Sequence, residues 1–257
     1  MTSPALSRFL LTGQCAVITG GGDGIGRAAA RLFAEAGAAV AIIDTNGPAA
    51  EAVAAEIVAN GGSAAPLVAD VSDEPAMEQA LAEIARRFGH VDILVNNAAI
   101  AIRADALSMP LEDWNKVVSV NLTGMFIAAR LAARLMRGRG GAVVNTASIV
   151  GLSGGLMPNI AYQTTKGGVV NMTRALALEW TGENIRVNAV APTYVRTGFI
   201  APLMADPVRL KTILDATPMG RLAEPEEVAN AMLFLASPAA AMITGVILPV
   251  DGGFLAR

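Results

Sequence analysis

CAVITGGGDGIG, residues 15–26, is the stretch whose reading decides the fold. CAVIT is apolar or β-branched at every position, the pattern of a strand covered on both faces. A glycine-rich turn follows, and a helical, alanine-rich run from Ile25 to Ala36 ends at Gly37. Glycines at this junction let the backbone turn tightly and bring its N–H groups up to a pyrophosphate at the helix N-terminus. A glycine cluster alone is weak evidence. The strand before it, the helix after it and an acid closing the next strand make a dinucleotide fingerprint. That acid is Asp44, at the end of AAVAIID (38–44) and twenty residues after Gly24. Its carboxylate suits the hydroxyls of an adenosine ribose and repels a 2′-phosphate. Asp23 adds a second negative charge, and neither Thr45 nor Asn46 offers an arginine to hold a phosphate. The expected cofactor is therefore NAD rather than NADP. The alternative for Asp44 is a turn aspartate.

Strand-like and helical patterns then alternate to the end of the chain. The helices expected are about Pro48–Ala59, Glu74–Phe88 and Leu111–Arg137. Strands are expected at 65–70, 91–98, 142–148, 185–192 and 246–250. Short Val/Ile-rich runs separated by helices imply a parallel sheet covered on both sides, a doubly wound α/β Rossmann architecture in one domain over 1–257. Asp70 is expected to end the third strand, as an adenine-side residue or equally as a turn residue. Asn96-Asn97 follow the fourth strand, so these polar groups gather at the C-terminal edge of the sheet, where open α/β sheets bind ligands. The stretch 193–225 reads as a long irregular loop, suited to a lid over a substrate.

The second informative stretch is AYQTTK, residues 161–166. It holds one of only two tyrosines and closes a run, Gly140 to Thr165, with no formally charged side chain. Tyr162 and Lys166 stand at i and i+4, on one helix face. Lowering a phenol pKa from about 10 by about three units takes roughly 4 kcal/mol. One ammonium about 4 Å away in a partly screened site supplies that order of energy, making the phenol a usable acid or base. Ser148, fourteen residues earlier at a strand end, can hydrogen-bond the reacting oxygen.

Composition limits the alternatives. The net charge near −3 and the scattered arginines give no footprint for nucleic acid. The single Cys15, in an apolar run, excludes an internal disulfide and fits a reducing compartment. The single His90 leaves no histidine triad or multi-histidine metal site, and no metal is expected. The N-terminus lacks a signal-peptide pattern, and Val228–Val250, although uncharged, is broken by Pro238, Gly245 and Pro249. A cytoplasmic protein without a membrane span is expected. With 53% hydrophobic and 16% charged residues, some apolar surface should be buried between subunits.

These motifs together resemble the short-chain dehydrogenase/reductase family over nearly the whole chain. They are TGGGDGIG (19–26), NNAA (96–99), NLTG with Asn121, Ser148, YQTTK (162–166), NAVAPTYVRT (188–197) and VDGG (250–253). The resemblance implies a seven-stranded sheet and a homotetramer. It also implies that Asn121 helps hold a proton-relay water, Ser148 orients substrate, Tyr162 exchanges the proton and Lys166 also binds the nicotinamide ribose. Gly20, Gly22, Asp23, Gly24, Ile25, Gly26, Asp44, Asp70 and Val71 are expected at the adenosine and pyrophosphate end. Asn97, Ala98, Ala99, Tyr162, Lys166, Pro192, Val195 and Thr197 are expected toward the nicotinamide, Val195 and Thr197 holding its carboxamide. Two positions depart from the family: Thr193 follows Pro192 in place of the usual glycine, and NNAA replaces NNAG. A β-branched Thr193 does not readily take φ > 0, so a different loop path is expected there.

The expected activity is reversible hydride transfer between NAD and a secondary alcohol, with a polyol or sugar favoured because the tail from Pro218 to Gly253 looks like that of polyol dehydrogenases. The alternative within the fold is a 3-oxoacyl reductase of lipid synthesis. Reductases of that kind often carry arginines where Ile127 and Leu178 stand. A non-catalytic dinucleotide sensor is the alternative of another class, and the presence of Asn121, Ser148, Tyr162 and Lys166 argues against it. In the 193–225 loop, Tyr194, Arg196, Phe199, Ile200, Leu203, Met204 and Arg209 would face substrate, with Met157 and Asn159 opposite.

Overall fold

The computed structural model describes residues 4–256. Its strands are β1 Cys15–Thr19, β2 Ala39–Asp44, β3 Ser63–Val68, β4 Ile93–Asn96, β5 Gly141–Thr146, β6 Ile185–Pro192 and β7 Ile247–Val250. All pair in parallel, in the order β3-β2-β1-β4-β5-β6-β7. The main helices are α1 Gly24–Glu35, α2 Gly47–Ala59, α3 Glu74–Phe88, α4 Leu111–Met136, α5 Ile160–Trp180, α6 Pro207–Ala216 and α7 Pro225–Ala236. The winding direction reverses between β1 and β4, and a crevice opens there at the C-terminal ends of the strands.

The opening stretch explains why both faces need apolar residues. Ala16 and Ile18 enter the core built with Phe33 of α1 and Ala229 of α7. Cys15 and Val17 enter the opposite core, with Leu81 of α3 and Leu131 of α4. Alternate residues of one strand thus serve two layers, and β1 is buried at all five positions. Burial pushes the Cys15 thiol up to about 12, with a further push from Asp92, so it packs as an apolar residue.

Local signals set the helix bounds. Asp73 caps α3 by accepting the Ala76 N–H at 3.1 Å, and Gly89, at φ +83°, ends it. Three expectations are corrected. β3 lies two residues earlier than the 65–70 pattern indicates, so Asp70 sits in the loop beyond the strand. α4 is continuous only through a π-helical turn at Ser119–Gly124, with Asn121 inside it. The stretch 193–225 is not irregular. It holds a helical turn at Ala201–Met204 and α6, whose Asp206 cap accepts the Val208 and Arg209 N–H groups. Val228–Val250 is broken as expected, into the C-terminal part of α7, a 3₁₀ turn at Pro238–Ala240 and β7. Among the described residues the helix long and apolar enough to span a bilayer is α4, and 56% of its most apolar window is buried in the core.

Candidate active site

The C-terminal ends of the strands enclose a cleft of about 510 Å³. Its first end is the glycine turn. Gly20 at φ +63° and Gly24 at φ +51° occupy the left-handed region. A Cβ at Gly26 would lie 2.0 Å from the Gly20 carbonyl oxygen, so only glycine lets α1 start this close to β1. Asp23 precedes α1 but makes no side-chain capping bond, leaving the first N–H groups of a twelve-residue helix available to an anion. The donor set fits a dinucleotide pyrophosphate.

Asp44 stands at the end of β2, held on both oxygens: Gly22 N–H donates to Oδ2 and Asn46 N–H to Oδ1, each at 2.9 Å. Its carboxylate is therefore fixed against the glycine turn, not merely part of its own turn. Asp70 lines the cleft but accepts bonds from the backbone and hydroxyl of Ser72 at 2.8 and 2.7 Å, so the turn role is plainly present. Asn97 ties the β4 end to the glycine turn, donating to the Gly20 carbonyl at 3.1 Å and accepting from the Thr146 hydroxyl at 3.3 Å.

At the other end, Ser148, Tyr162 and Lys166 converge. Ser148 lies two residues beyond β5, where its hydroxyl accepts the Val150 N–H at 3.3 Å, and its side chain faces Tyr162. Lys166 is fully buried; its Nζ donates to the Thr146 carbonyl at 2.6 Å and lies 5.4 Å from the centroid of the Tyr162 ring. Burial pushes the lysine down to about 7. Burial also pushes the phenol up to about 12, opposed by the Ser148 hydrogen bond and by Arg103. This corrects the expectation of a phenol brought down by its lysine alone: the desolvation that strengthens the pair's attraction first penalises each charge separately.

Most of the expected site residues line the cleft. Gly22, Gly26 and Asn121 do not, and each stands behind its wall. The buried Asn121 amide is committed to Ile100, accepting from its N–H at 2.8 Å and donating to its carbonyl at 2.9 Å, with the Thr165 hydroxyl at 3.4 Å. Thr193, where the family has glycine, is not among the positive-φ residues, as its β-branching requires. Its N–H donates to the Val250 carbonyl at 3.1 Å, while its buried hydroxyl oxygen has no hydrogen-bond partner among the described residues. Phe199, from the substrate segment, packs on Tyr162 with centroids 5.7 Å apart. The sequence reading missed Arg103, which lines the cleft in the segment after β4. Its signal was a cation shortly after Asn96-Asn97, at the binding edge of the sheet.

The comparisons agree with this geometry. A family model described as "Enoyl-(Acyl carrier protein) reductase" matches residues 20–255. Galactitol 2-dehydrogenase (L-tagatose-forming) of Cereibacter sphaeroides is 47% identical, with 96% of each chain covered. A 3-oxoacyl-[acyl-carrier-protein] reductase of Synechocystis is 40% identical over 95% of this chain and 98% of its own. The solved gluconate 5-dehydrogenase of Burkholderia cenocepacia, in complex with NADP and tartrate, superposes with a TM-score of 0.95 at 37% identity, covering 98% of this chain and 99% of that one. With its glycine turn, strand order and near-complete overlap with such relatives, the chain is an oxidoreductase that belongs to the short-chain dehydrogenase/reductase family.

Proposed function

We propose that this enzyme oxidises a secondary alcohol, or reduces the matching ketone, with NAD as cofactor and a polyol or sugar derivative as substrate. The observation that carries the reading is the convergence of Ser148, Tyr162 and Lys166 on one cleft whose other end is the glycine turn. A bound nicotinamide supplies the hydride acceptor and, when oxidised, a positive charge. Ser148 orients the substrate oxygen, and Tyr162 takes the hydroxyl proton. Lys166 attracts the resulting phenolate. The tyrosine and lysine act as one titrating pair: an ammonium and a phenolate form together far more readily than either forms alone in so dry a site. The relay role of Asn121 falls to its main chain, because its amide holds Ile100. Residues 193–225 form the substrate segment, with Phe199 shielding the phenol from water.

NAD preference rests on Asp44, aimed at the ribose position by two backbone donors. The carrier-protein alternative has a relative at 40% identity behind it, but Ile127 is buried and Leu178 presents only an exposed apolar surface. Neither offers a cation to an acidic carrier. The polyol reading is preferred, in a cytoplasmic homotetramer that engages neither membrane nor nucleic acid and needs no metal. The test is dinucleotide reduction followed by absorbance across secondary alcohols, including 3-hydroxyacyl thioesters. Tyr162→Phe should reduce kcat at least about 10³-fold with dinucleotide affinity retained. Turnover that survives the substitution would refute the role given to the phenol, and tight dinucleotide binding without turnover of any alcohol would favour a sensor.

A further inference from the structure

The carboxylates lining the cleft, Asp23, Asp44 and Asp70, lie at the glycine-turn end or along the adenosine side; its cations are Lys116, Lys166 and Arg103, and Arg103 lies beside the reacting phenol, with Phe199. Arg103 has no carboxylate within salt-bridge distance among the described residues, whereas eight other arginines each pair with one. Its guanidinium is held from one side only. One nitrogen donates to the Phe199 carbonyl at 3.3 Å, and the group lies 5.9 Å from the centroid of the Phe199 ring, which itself packs against Tyr162. A guanidinium carries five N–H donors in a planar fork, so most of them remain for a ligand. Its field reaches the phenols of both Tyr162 and Tyr194. Two further cleft residues carry buried oxygens without hydrogen-bond partners among the described residues, Asn159 Oδ1 and Thr193 Oγ1. Buried polar atoms of that kind are matched by hydroxyl groups of a ligand at the cost of small side-chain shifts.

We propose that Arg103 is the carboxylate-binding residue of the substrate site, so that the preferred substrate is a hydroxylated carboxylate, such as a sugar acid, and not a neutral polyol. This rests on the secondary-alcohol reading above; of the polyol and sugar derivatives proposed there it selects those that carry a carboxylate and sets the neutral polyols aside. The planar fork matches a carboxylate in two parallel hydrogen bonds. Phe199 presents the guanidinium beside Tyr162, and the anion is thereby anchored with a carbinol carbon near the phenol. Asn159 and Thr193 meet the remaining hydroxyls.

The test is calorimetric titration of the full-length protein loaded with NADH, or with NADPH if only that binds, using matched pairs. These are gluconate against sorbitol, 4-hydroxycyclohexanecarboxylate against its carboxamide, and 3-hydroxybutyrate against 1,3-butanediol. The expected result is a carboxylate that binds about 10- to 100-fold tighter than its neutral partner in at least one pair. Arg103→Gln should erase that preference while changing the neutral ligand's affinity by less than about twofold, and Arg103→Lys should keep part of it. The proposal is overturned if no pair shows a preference, if the preference survives Arg103→Gln, or if both members weaken together, which is the signature of a strut for Phe199. Turnover is scored separately with the same compounds. A carboxylate preference without Tyr162-dependent turnover would sink the secondary-alcohol reading and leave the anion site standing, and efficient turnover of neutral alcohols alone would do the reverse.

Discussion

Lys166 shows how a residue can be legible in type and misjudged in energy. Its spacing from Tyr162 identified the pair, but nothing in the sequence measures how dry the site is. With the folded pKa pushed down to about 7 from an unfolded value of 10.5, the unfolded chain binds the extra proton throughout the interval between them. Stability therefore rises with pH from about 7 toward 10.5, and the burial penalty is fully felt below 7. Between pH 7 and 9 the gain is on the order of 3 kcal/mol, several degrees in Tm for a chain of this size. Lys166→Met should flatten that rise; thermal melts of both proteins without dinucleotide, at pH 7 and pH 9, decide it. Asp44 gives the second prediction at this scale. Asp44→Ala removes the ribose acceptor and also frees the Gly22 N–H, so NADH binding weakens about 10-fold or more and the NADH-over-NADPH ratio of dissociation constants narrows. Equal affinities for both cofactors in the unmodified protein would contradict the NAD assignment. Asn121 was singled out in the sequence by its NLTG motif, but its place behind the cleft and its commitment to Ile100 were not legible, because that partner is set by the path of a loop with no strong turn signal.

Elements with marked ends were readable, and those whose shape depends on their neighbours were not. α3 spans the expected residues because Asp73, Pro75 and Gly89 bracket it. The π-helical turn in α4 has no comparable mark; a run such as SVNLTG continues a helical pattern on either geometry. It places Gly124 against Val71, where a Cβ would approach Val71 Cγ2 to 2.7 Å. α6 was missed although Asp206-Pro207 is a sound helix start, since its apolar residues face a small separate core of Ile200, Leu203, Ile213 and Leu222. The closest element contact near the chemistry is between the 3₁₀ turn Ile149–Gly151 and α5. A Cβ on Gly151 would lie 2.6 Å from the main-chain carbonyl of Lys166. Gly151→Ala must push the turn off the helix that carries both reactive residues, and Ser148 moves with it. A loss of about 1–3 kcal/mol in chemical denaturation is expected, together with a fall in kcat larger than the change in KM. A variant of unchanged stability and activity would show that the contact relaxes freely.

At the scale of the molecule, a parallel sheet covered on both sides followed from the alternating patterns, because each of its strands must be apolar on both faces, whereas the order in which the strands lie was not legible. Leftover apolar surface was also anticipated, on the long helices and the C-terminal strand, from the family resemblance. Phe126 on α4 is 41% exposed and Leu178 on α5 is 81% exposed, while Met242, before β7, is almost fully exposed. These patches lie on α4, on α5 and beside the edge strand, and the proposed tetramer would cover them. Light scattering should give about four times the 26.3 kDa chain mass, and Phe126→Glu with Leu178→Glu should reduce it. A monomeric unmodified protein would remove the assembly from the proposal.

The strand order has a consequence for synthesis on the ribosome. β1 is central, yet after pairing with β2 its other edge must wait for β4; Val95, the β4 residue whose carbonyl accepts from the Thr19 hydroxyl, lies 76 residues downstream. At about 5–20 residues per second, roughly 4–15 seconds pass before that edge can be covered. During that interval the nascent chain presents CAVIT, an uncharged strand-forming segment with an open hydrogen-bonding edge, which is the kind of template that invites pairing with another chain. The winding that creates the crevice for a ligand also makes the middle of the sheet the part that needs guarding while the chain is still being made.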